Sequence, residues 1–294
     1  MYLKELLNIG QATVSVLYPE REAKEMVLAY LESLVGIKRH THIVEPDYIV
    51  PEDKTETALA AFGRMASGEP LQYVVGKAWF YGRQFRVTPD VLIPRPETEM
   101  LVNSVISSVV PADRKMTPSI LDLCTGSGCI AWTLALEMPG VRVTAVDISD
   151  GALDVASSQD FAQEMTQTGA LTPKFLKADV LKDTLTIDGP DKYDIIVSNP
   201  PYVMDSEKAM MRVNVLDHEP HLALFVPDDD ALKFYKAIAG HASGLLKRGG
   251  FGVVEINEAL GPQTAEIFNQ AGFSTEILKD LYDKDRFVVF TAKI

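Results

Sequence analysis

Apolar residues in the first quarter of the chain recur at three- and four-residue spacing, at Leu3/Leu6/Leu7, then Met26/Val27/Tyr30/Leu31/Leu34, then Ala58/Leu59/Phe62/Met65, with polar residues between them. That is the period of helices with one buried face, and Pro46 and Pro51 punctuate its middle. It predicts a small helical bundle over residues 1–76. The pattern then changes. Trp79-Phe80-Tyr81-Gly82-Arg83-Gln84-Phe85-Arg86-Val87 is aromatic and β-branched around a central glycine, and reads as a β-hairpin in a linker over 77–93. Over 94–294, short apolar runs alternate with helical ones. Runs at 119–123, 141–146, 174–177, 193–198 and 252–256 read as strands, and two more, at 274–278 and 286–291, flank Asp283-Lys284-Asp285. Strands that alternate with helices build a parallel sheet covered on both faces, so the expected fold class is α/β.

In such sheets ligands bind beyond the carboxyl ends of the strands, and the candidate chemistry stands there. The run 119–123 leads into Cys124-Thr125-Gly126-Ser127-Gly128 and then into the helical run 129–136. Glycines between a strand and a helix let the backbone approach a ligand closely, while the helix start offers unpaired N–H groups. A single Gly-x-Gly is unspecific. It gains weight from Asp147, which ends the next strand 19 positions after Gly128, near the roughly 20-residue offset at which an acid meets ribose hydroxyls. Together they indicate a nucleoside-bearing cofactor. No Gly-x-x-x-x-Gly-Lys-Ser/Thr loop for a triphosphate is present, and the turn departs from the full dinucleotide fingerprint. Asp122, just before the turn, would repel a pyrophosphate but tolerate the ammonium of a methionine moiety. S-adenosylmethionine therefore fits better than NAD. Asp179, after the run 175–178, could accept from an adenine amino group; a helix cap or loop carboxylate is the equally plain alternative.

Asn199-Pro200-Pro201-Tyr202 directly follows the apolar run 193–198. An amide or exocyclic amine attacks carbon poorly, because its lone pair is delocalised, unless both N–H bonds are held and the lone pair is turned toward the electrophile. Asn199 Oδ1 and the Pro200 carbonyl could accept those two hydrogens, with the two prolines fixing φ near −65° and pre-aiming the carbonyl. Tyr202 could stack on the flat group. The alternative is a strand ending in a proline-rich turn.

Residues 122–128, Asp147 and 199–202 resemble the motifs of the class I, Rossmann-like S-adenosylmethionine-dependent methyltransferases. Gly68-Glu69-Pro70-Leu71-Gln72-Tyr73-Val74-Val75-Gly76 and Leu92-Ile93-Pro94-Arg95-Pro96-Glu97-Thr98-Glu99 resemble signatures of the HemK/PrmC family, as do Asp217-His218-Glu219-Pro220 with Ala223-Leu224, and Lys279-Asp280-Leu281 with Asp285-Arg286. Two positions depart from the pattern: Cys124 stands where a first turn glycine is usual, and Asn257 where a glycine is common. The resemblance implies a seven-stranded, mostly parallel sheet closed by a C-terminal antiparallel hairpin. It implies methyl transfer from S-adenosylmethionine to the N5 amide of the glutamine in the Gly-Gly-Gln motif of class I peptide-chain release factors, with the helical bundle docking the substrate or merely shielding the other domain. Asn199, Pro200, Pro201 and Tyr202 would hold the substrate. Asp122, Cys124, Thr125, Gly126, Ser127, Gly128, Asp147, Asp179 and Asn199 would hold the cofactor. A ribosomal-protein glutamine methyltransferase and a DNA or RNA adenine methyltransferase are the alternatives, and the segment 94–99 resembles the release-factor enzymes more than the ribosomal-protein ones.

Composition narrows this further. The 294 residues carry a net charge of −13, which disfavours a polyanionic nucleic-acid partner. The 47% hydrophobic content suffices for real cores. Two cysteines, Cys124 and Cys129, suit a reducing cytosol and packing roles. No run approaches the roughly 18 apolar residues of a spanning helix, and no targeting segment is recognised, so a soluble, cytoplasmic monomer without membrane association is expected. His40-x-His42 and His218-Glu219-Pro220-His221 lack a metal-ligand pattern, so no metal is expected. Asp228-Asp229-Asp230 reads as the acidic start of a helix over 231–246. Arg95 and Glu97 either line the cofactor mouth or cap the helix over 97–108.

Overall fold

In the computed structural model, which describes residues 1–109, 117–182, 185 and 192–293, the early helical period becomes α1 (Leu3–Val14), α2 (Glu20–Val35), α3 (Thr41–Val44), α4 (Glu52–Ala66) and α5 (Leu71–Val75). Prolines precede α2, α4 and α5, where a missing N–H removes nothing from the helix, and Glu20, Glu22, Glu52 and Asp53 face the positive ends of α2 and α4. Gly36 and Gly76 end α2 and α5 in the left-handed conformation. Leu3, Leu6, Leu7, Val27, Tyr30, Leu31, Ala58, Phe62 and Met65 form one core, while Leu59, though on the same period, stays 39% exposed. This unit comprises residues 1–77 and a distant segment, 211–219. Arg212 of that segment pairs with Glu22 at 3.1 Å.

The second unit comprises 78–210 and 220–294. The hairpin strands β1 (Lys77–Phe80) and β2 (Arg83–Arg86) meet at Tyr81-Gly82, both at positive φ (51° and 72°), the requirement of a tight two-residue turn. Tyr81 tolerates that backbone with its N–H given to Glu99 and its hydroxyl to Asn103. There follow α6 (Thr98–Val109), β3 (Ser119–Leu123), α7 (Cys129–Glu137), β4 (Arg142–Asp147), α8 (Asp150–Ser157), α9 (Ala162–Thr168), β5 (Lys174–Lys177), β6 (Tyr193–Ser198) and β7 (Val203–Met204). After α10 (Val213–Leu216), part of the first unit, come β8 (Phe225–Val226), α11 (Lys233–Leu245), β9 (Leu246–Glu255), α12 (Gly261–Gln270), β10 (Ser274–Lys279) and β11 (Asp285–Thr291).

Seven of these strands form one sheet in the order β10-β11-β9-β6-β3-β4-β5. The pairs among β9, β6, β3, β4 and β5 are parallel, and β11 is antiparallel to both β9 and β10. Side chains alternate across it. Ile120, Val143, Ala145, Ile195, Val197, Val253 and Phe287 pack on one face with α6 and α7. Leu121, Leu123, Val146, Ile196, Val254, Val288 and Phe290 pack on the other with α11 and α12. β9 starts six residues before the expected 252: Leu246 pairs with Tyr193 and Phe251 with Ile195, so the polar run 247–250, with Gly249 at φ 71°, bulges opposite Asp194, and a Cβ on Gly250 would lie 2.7 Å from the Asp194 carbonyl. Asp228–Asp230 form a separate 3-10 turn ahead of α11 rather than its first turn.

Register places the chemistry. Leu123 lies beside Val146 on one side and Ser198 on the other, and Asp147 lies beside Lys177. The residues that leave β3, β4, β5 and β6 therefore emerge at one edge. Strand order also reverses at β3, where crossovers diverge and open a crevice.

Candidate active site

A cleft of about 270 Å³ opens at that edge, lined by Cys124, Thr125, Gly126 and Ser127 after β3, by Asp147 at the end of β4, by Ala178 and Asp179 after β5, and by Asn199 and Pro201 after β6. The segment from Pro89 to Thr98, with Arg95, and residues around Pro220 and Phe234 complete it. Asp122, Gly128, Pro200 and Tyr202 are not in the lining, and neither is Glu97.

The turn after β3 is held by a carboxylate. Asp147 Oδ2 accepts from the Gly126 N–H at 2.9 Å, and Oδ1 from the Ser149 N–H at 3.0 Å. Burial raises the Asp147 pKa, and the hydrogen bonds from Ser149 and Gly126 oppose it. Cys124 adopts φ 61°, the left-handed backbone for which a glycine is the usual choice, and Gly126 follows at φ 54°. Gly128, at φ 78°, lets α7 start against its neighbours: a Cβ there would lie 3.0 Å from Ala156 Cβ and 3.1 Å from Trp132. Both thiols are kept protonated by burial, Cys124 pushed well above the ordinary range and Cys129 to about 12. Neither is an activated nucleophile.

Asp122 lies behind this turn, fully buried. Its Oδ2 accepts from the Thr125 hydroxyl at 2.6 Å, but its Oδ1 has no partner. Burial first, and the nearby Asp147 charge, push its pKa up to about 7, against the pull of the Thr125 hydroxyl and the Ala131 backbone N–H. Asp179 Oδ1 accepts from the Leu181 N–H at 3.0 Å, a loop role held alongside its place in the lining.

Asn199 belongs to a chain of hydrogen bonds that sequence reading did not assemble. Its Nδ2 donates to Thr98 Oγ1 at 3.1 Å; Thr98 donates to Glu255 Oε2 at 2.7 Å; the Tyr202 hydroxyl donates to Glu255 Oε1 at 2.9 Å. Asn199 Oδ1 enters no hydrogen bond among the described residues. Burial raises the pKa of Glu255 and, together with the charge of Glu255, that of Tyr202. The signal for Thr98 was its place in the segment 94–99, and for Glu255 an acid closing an otherwise apolar strand.

Other candidates fall elsewhere. His218 belongs to the first unit, and His221, in the second, stands edge-on to Phe225. Among the described residues no group of three or more His, Cys, Asp or Glu side chains could hold a metal ion, and no helix is long and apolar enough to cross a membrane. Asp228 accepts from Ser206, and Asp230 pairs with Lys236 at 2.7 Å.

A family model described as Methyltransferase small domain matches residues 98–220, and one described as PrmC N-terminal domain matches residues 5–76. The chain is 37% identical over 279 residues to a release factor glutamine methyltransferase of Flavobacterium psychrophilum, spanning 95% of this chain and 94% of the relative. It is 38% identical to one of Bacteroides thetaiotaomicron, spanning 92% of this chain and 94% of the relative, and 39% identical to one of Bacillus subtilis, spanning 92% and 90%. A solved protein-(glutamine-N5) methyltransferase (release factor-specific) from Alicyclobacillus acidocaldarius is 29% identical, covers 71% of this chain and 100% of that one, and has a TM-score of 0.41.

Proposed function

Because the chain belongs to the family of release factor glutamine methyltransferases, we propose that its cleft binds S-adenosylmethionine and methylates the N5 amide of a glutamine, presented at Asn199 by the Gly-Gly-Gln loop of a class I release factor. The observation that carries this reading is Asn199 itself, at the end of β6 beside the turn after β3, with Nδ2 engaged and Oδ1 uncommitted.

The residues suit this cofactor. A carboxylate offers about four acceptor sites, so Asp147 retains capacity for ribose hydroxyls after serving Gly126 and Ser149. Asp122, buried just behind the turn, carries a desolvation penalty that the positive charge of an ammonium held in the cleft would offset. Asp179 would meet the adenine amino group. When bound, S-adenosylmethionine supplies a methyl group on a sulfonium that departs as a neutral thioether, so no general acid is required.

The side chains of the site then have a positioning task. Asn199 Oδ1 accepts one hydrogen of the substrate amide and the Pro200 carbonyl the other, which turns the nitrogen lone pair toward the cofactor. An N-protonated amide is strongly acidic, so its proton leaves without a dedicated base. Holding two reactants in near-attack geometry lowers a barrier by as much as about 7–11 kcal/mol. A glutamate carboxylate brings no donors to these two acceptors and is rejected for that reason. Cys124, although in the lining, stays a thiol and does not compete for the methyl group. The first unit is assigned the docking of the protein substrate, the enzyme acts as a monomer in the cytoplasm, and the charge of −13 argues against a nucleic-acid substrate.

Mass spectrometry of a class I release factor, incubated with and without the enzyme and cofactor, tests the reading. One added methyl group on the Gly-Gly-Gln glutamine is expected. An unmodified factor, from an enzyme that binds the cofactor, would refute it.

A further inference from the structure

We infer that Glu255 is a positioning residue which, acting through Thr98, fixes which end of the Asn199 amide faces the cleft; this rests on the reading of Asn199 as acceptor for the substrate amide. The oxygen and nitrogen ends of an asparagine side chain are nearly equal in size, so packing hardly distinguishes them, and the direction of hydrogen bonds must. Thr98 and Glu255 are 2% and 1% exposed, leaving little room for water to serve as an alternative partner. An ionised Glu255 only accepts. It takes the Tyr202 hydrogen on Oε1 and the single Thr98 hydrogen on Oε2. Thr98 Oγ1 is left with lone pairs alone, so only the NH2 end of Asn199 can face it. Oδ1 is thereby turned outward as an acceptor.

The anchor of this chain is well held. β9 pairs Glu255 with Phe287, and the Tyr235 hydroxyl donates to the Glu255 carbonyl at 3.0 Å. The titratable groups acting on Glu255 or feeling its charge are Tyr202, Tyr235, Arg286, Glu97 and Cys129; Arg286 favours the carboxylate and Glu97 opposes it.

Replacing the carboxylate by its isostere reverses the chain. In Glu255→Gln, Tyr202 still needs an acceptor and holds Oε1, so Nε2 faces Thr98 and donates to it. The Thr98 hydrogen then turns to Asn199, whose Oδ1 must swing inward to accept it. The NH2 group would face the NH2 of the substrate, donor against donor. Protonation of Glu255 at Oε2 has the same effect, so turnover should fall toward acid, beginning above the usual glutamate range because burial raises this pKa.

The test uses the full chain with Glu255→Gln, Thr98→Val and Thr98→Ser, read by cofactor affinity, by kcat and KM on an intact release factor, and by the side-chain NH2 signals of Asn199 in 15N-asparagine-labelled protein, assigned by their loss in Asn199→Ala. Glu255→Gln should lower kcat by roughly 100-fold, the scale of losing one positioned polar contact in a transition state, while the cofactor Kd stays within about threefold. Its Asn199 NH2 protons should lose the protection that the Thr98 hydrogen bond gives them in the wild type. Thr98→Val should lose turnover likewise, and Thr98→Ser, which keeps the hydroxyl, should retain it. Wild-type kcat in Glu255→Gln, unchanged Asn199 signals, or equal damage in Thr98→Ser would each overturn the inference. The two readings fail separately: a wild-type enzyme inactive on release factor, with Asn199 signals that still respond to Glu255→Gln, removes the substrate and leaves the polarity device. An active wild type with an equally active Glu255→Gln does the reverse.

Discussion

Replacing Asp147 by asparagine should separate cofactor binding from turnover. The carboxylate serves two backbone donors, at 2.9 Å and 3.0 Å, with different oxygens, and lines the cleft. Asparagine preserves the shape, yet whichever way it turns, one backbone N–H meets an NH2 group, and the charge is gone. Hydrogen bonds to a charged group contribute about 1.5–3 kcal/mol against roughly 0.5–1.5 kcal/mol for neutral ones. Losing one such bond to a ribose hydroxyl and weakening a second amounts to about 2–4 kcal/mol, or roughly 30- to 1,000-fold in Kd. Titration calorimetry with S-adenosylmethionine reads that change directly. At saturating cofactor, kcat on a release factor should remain within about threefold, since uniform binding raises apparent affinity rather than turnover. A Kd equal to that of the wild type would remove Asp147 from the cofactor site. A kcat collapse at an unchanged Kd would move it to the transfer step.

Three further outcomes follow from the same geometry. Asn199→Ala removes the uncommitted Oδ1 while leaving Asp147 and the turn after β3 intact, so kcat should fall by about 10²–10³-fold with little change in calorimetric cofactor affinity; full turnover would end the acceptor role. Asp122 has its pKa pushed up to about 7, so its neutral form prevails below that value and its anion above it. Binding of an ammonium-bearing cofactor should therefore tighten as pH rises toward 7, by up to about tenfold per unit, and Asp122→Asn should flatten the difference; identical pH profiles in the two proteins would refute the pairing. Gly252→Ala places a Cβ 2.1 Å from Phe290, itself stacked on Phe268 at 4.3 Å, and 2.7 Å from the Ile196 carbonyl. A loss of about 3 kcal/mol and a Tm lower by roughly 6–12 °C are expected in a thermal melt, whereas Gly244→Ala, in open space on α11, should slightly raise the Tm; equal melting of the two variants would contradict the packing assigned to Phe290.

The seven strands of the main sheet in their chain order, and most of their ends, were decided by the sequence itself, because apolar period and turn residues act over a few neighbours. So was the placing of Asp147 and Asn199 at strand ends, since each closes an apolar run. The short β7 and β8 and the helices α8, α9 and α12, by contrast, gave no such signal. Local period did not decide burial: Leu59 shares the pattern of Phe62 and Met65 yet stays exposed while they are buried. Segment 211–219 likewise joins the first unit through packing far along the chain. At the site, tertiary structure alone brought Thr98, Asn199 and Glu255 together from three separate elements. It also buried Asp122 behind the turn, with its second oxygen outside any hydrogen bond among the described residues. The direction of a hydrogen bond and the charge of a buried acid depend on which groups the completed fold has taken from solvent and set within 3 Å of each other, and no short stretch of chain carries that information.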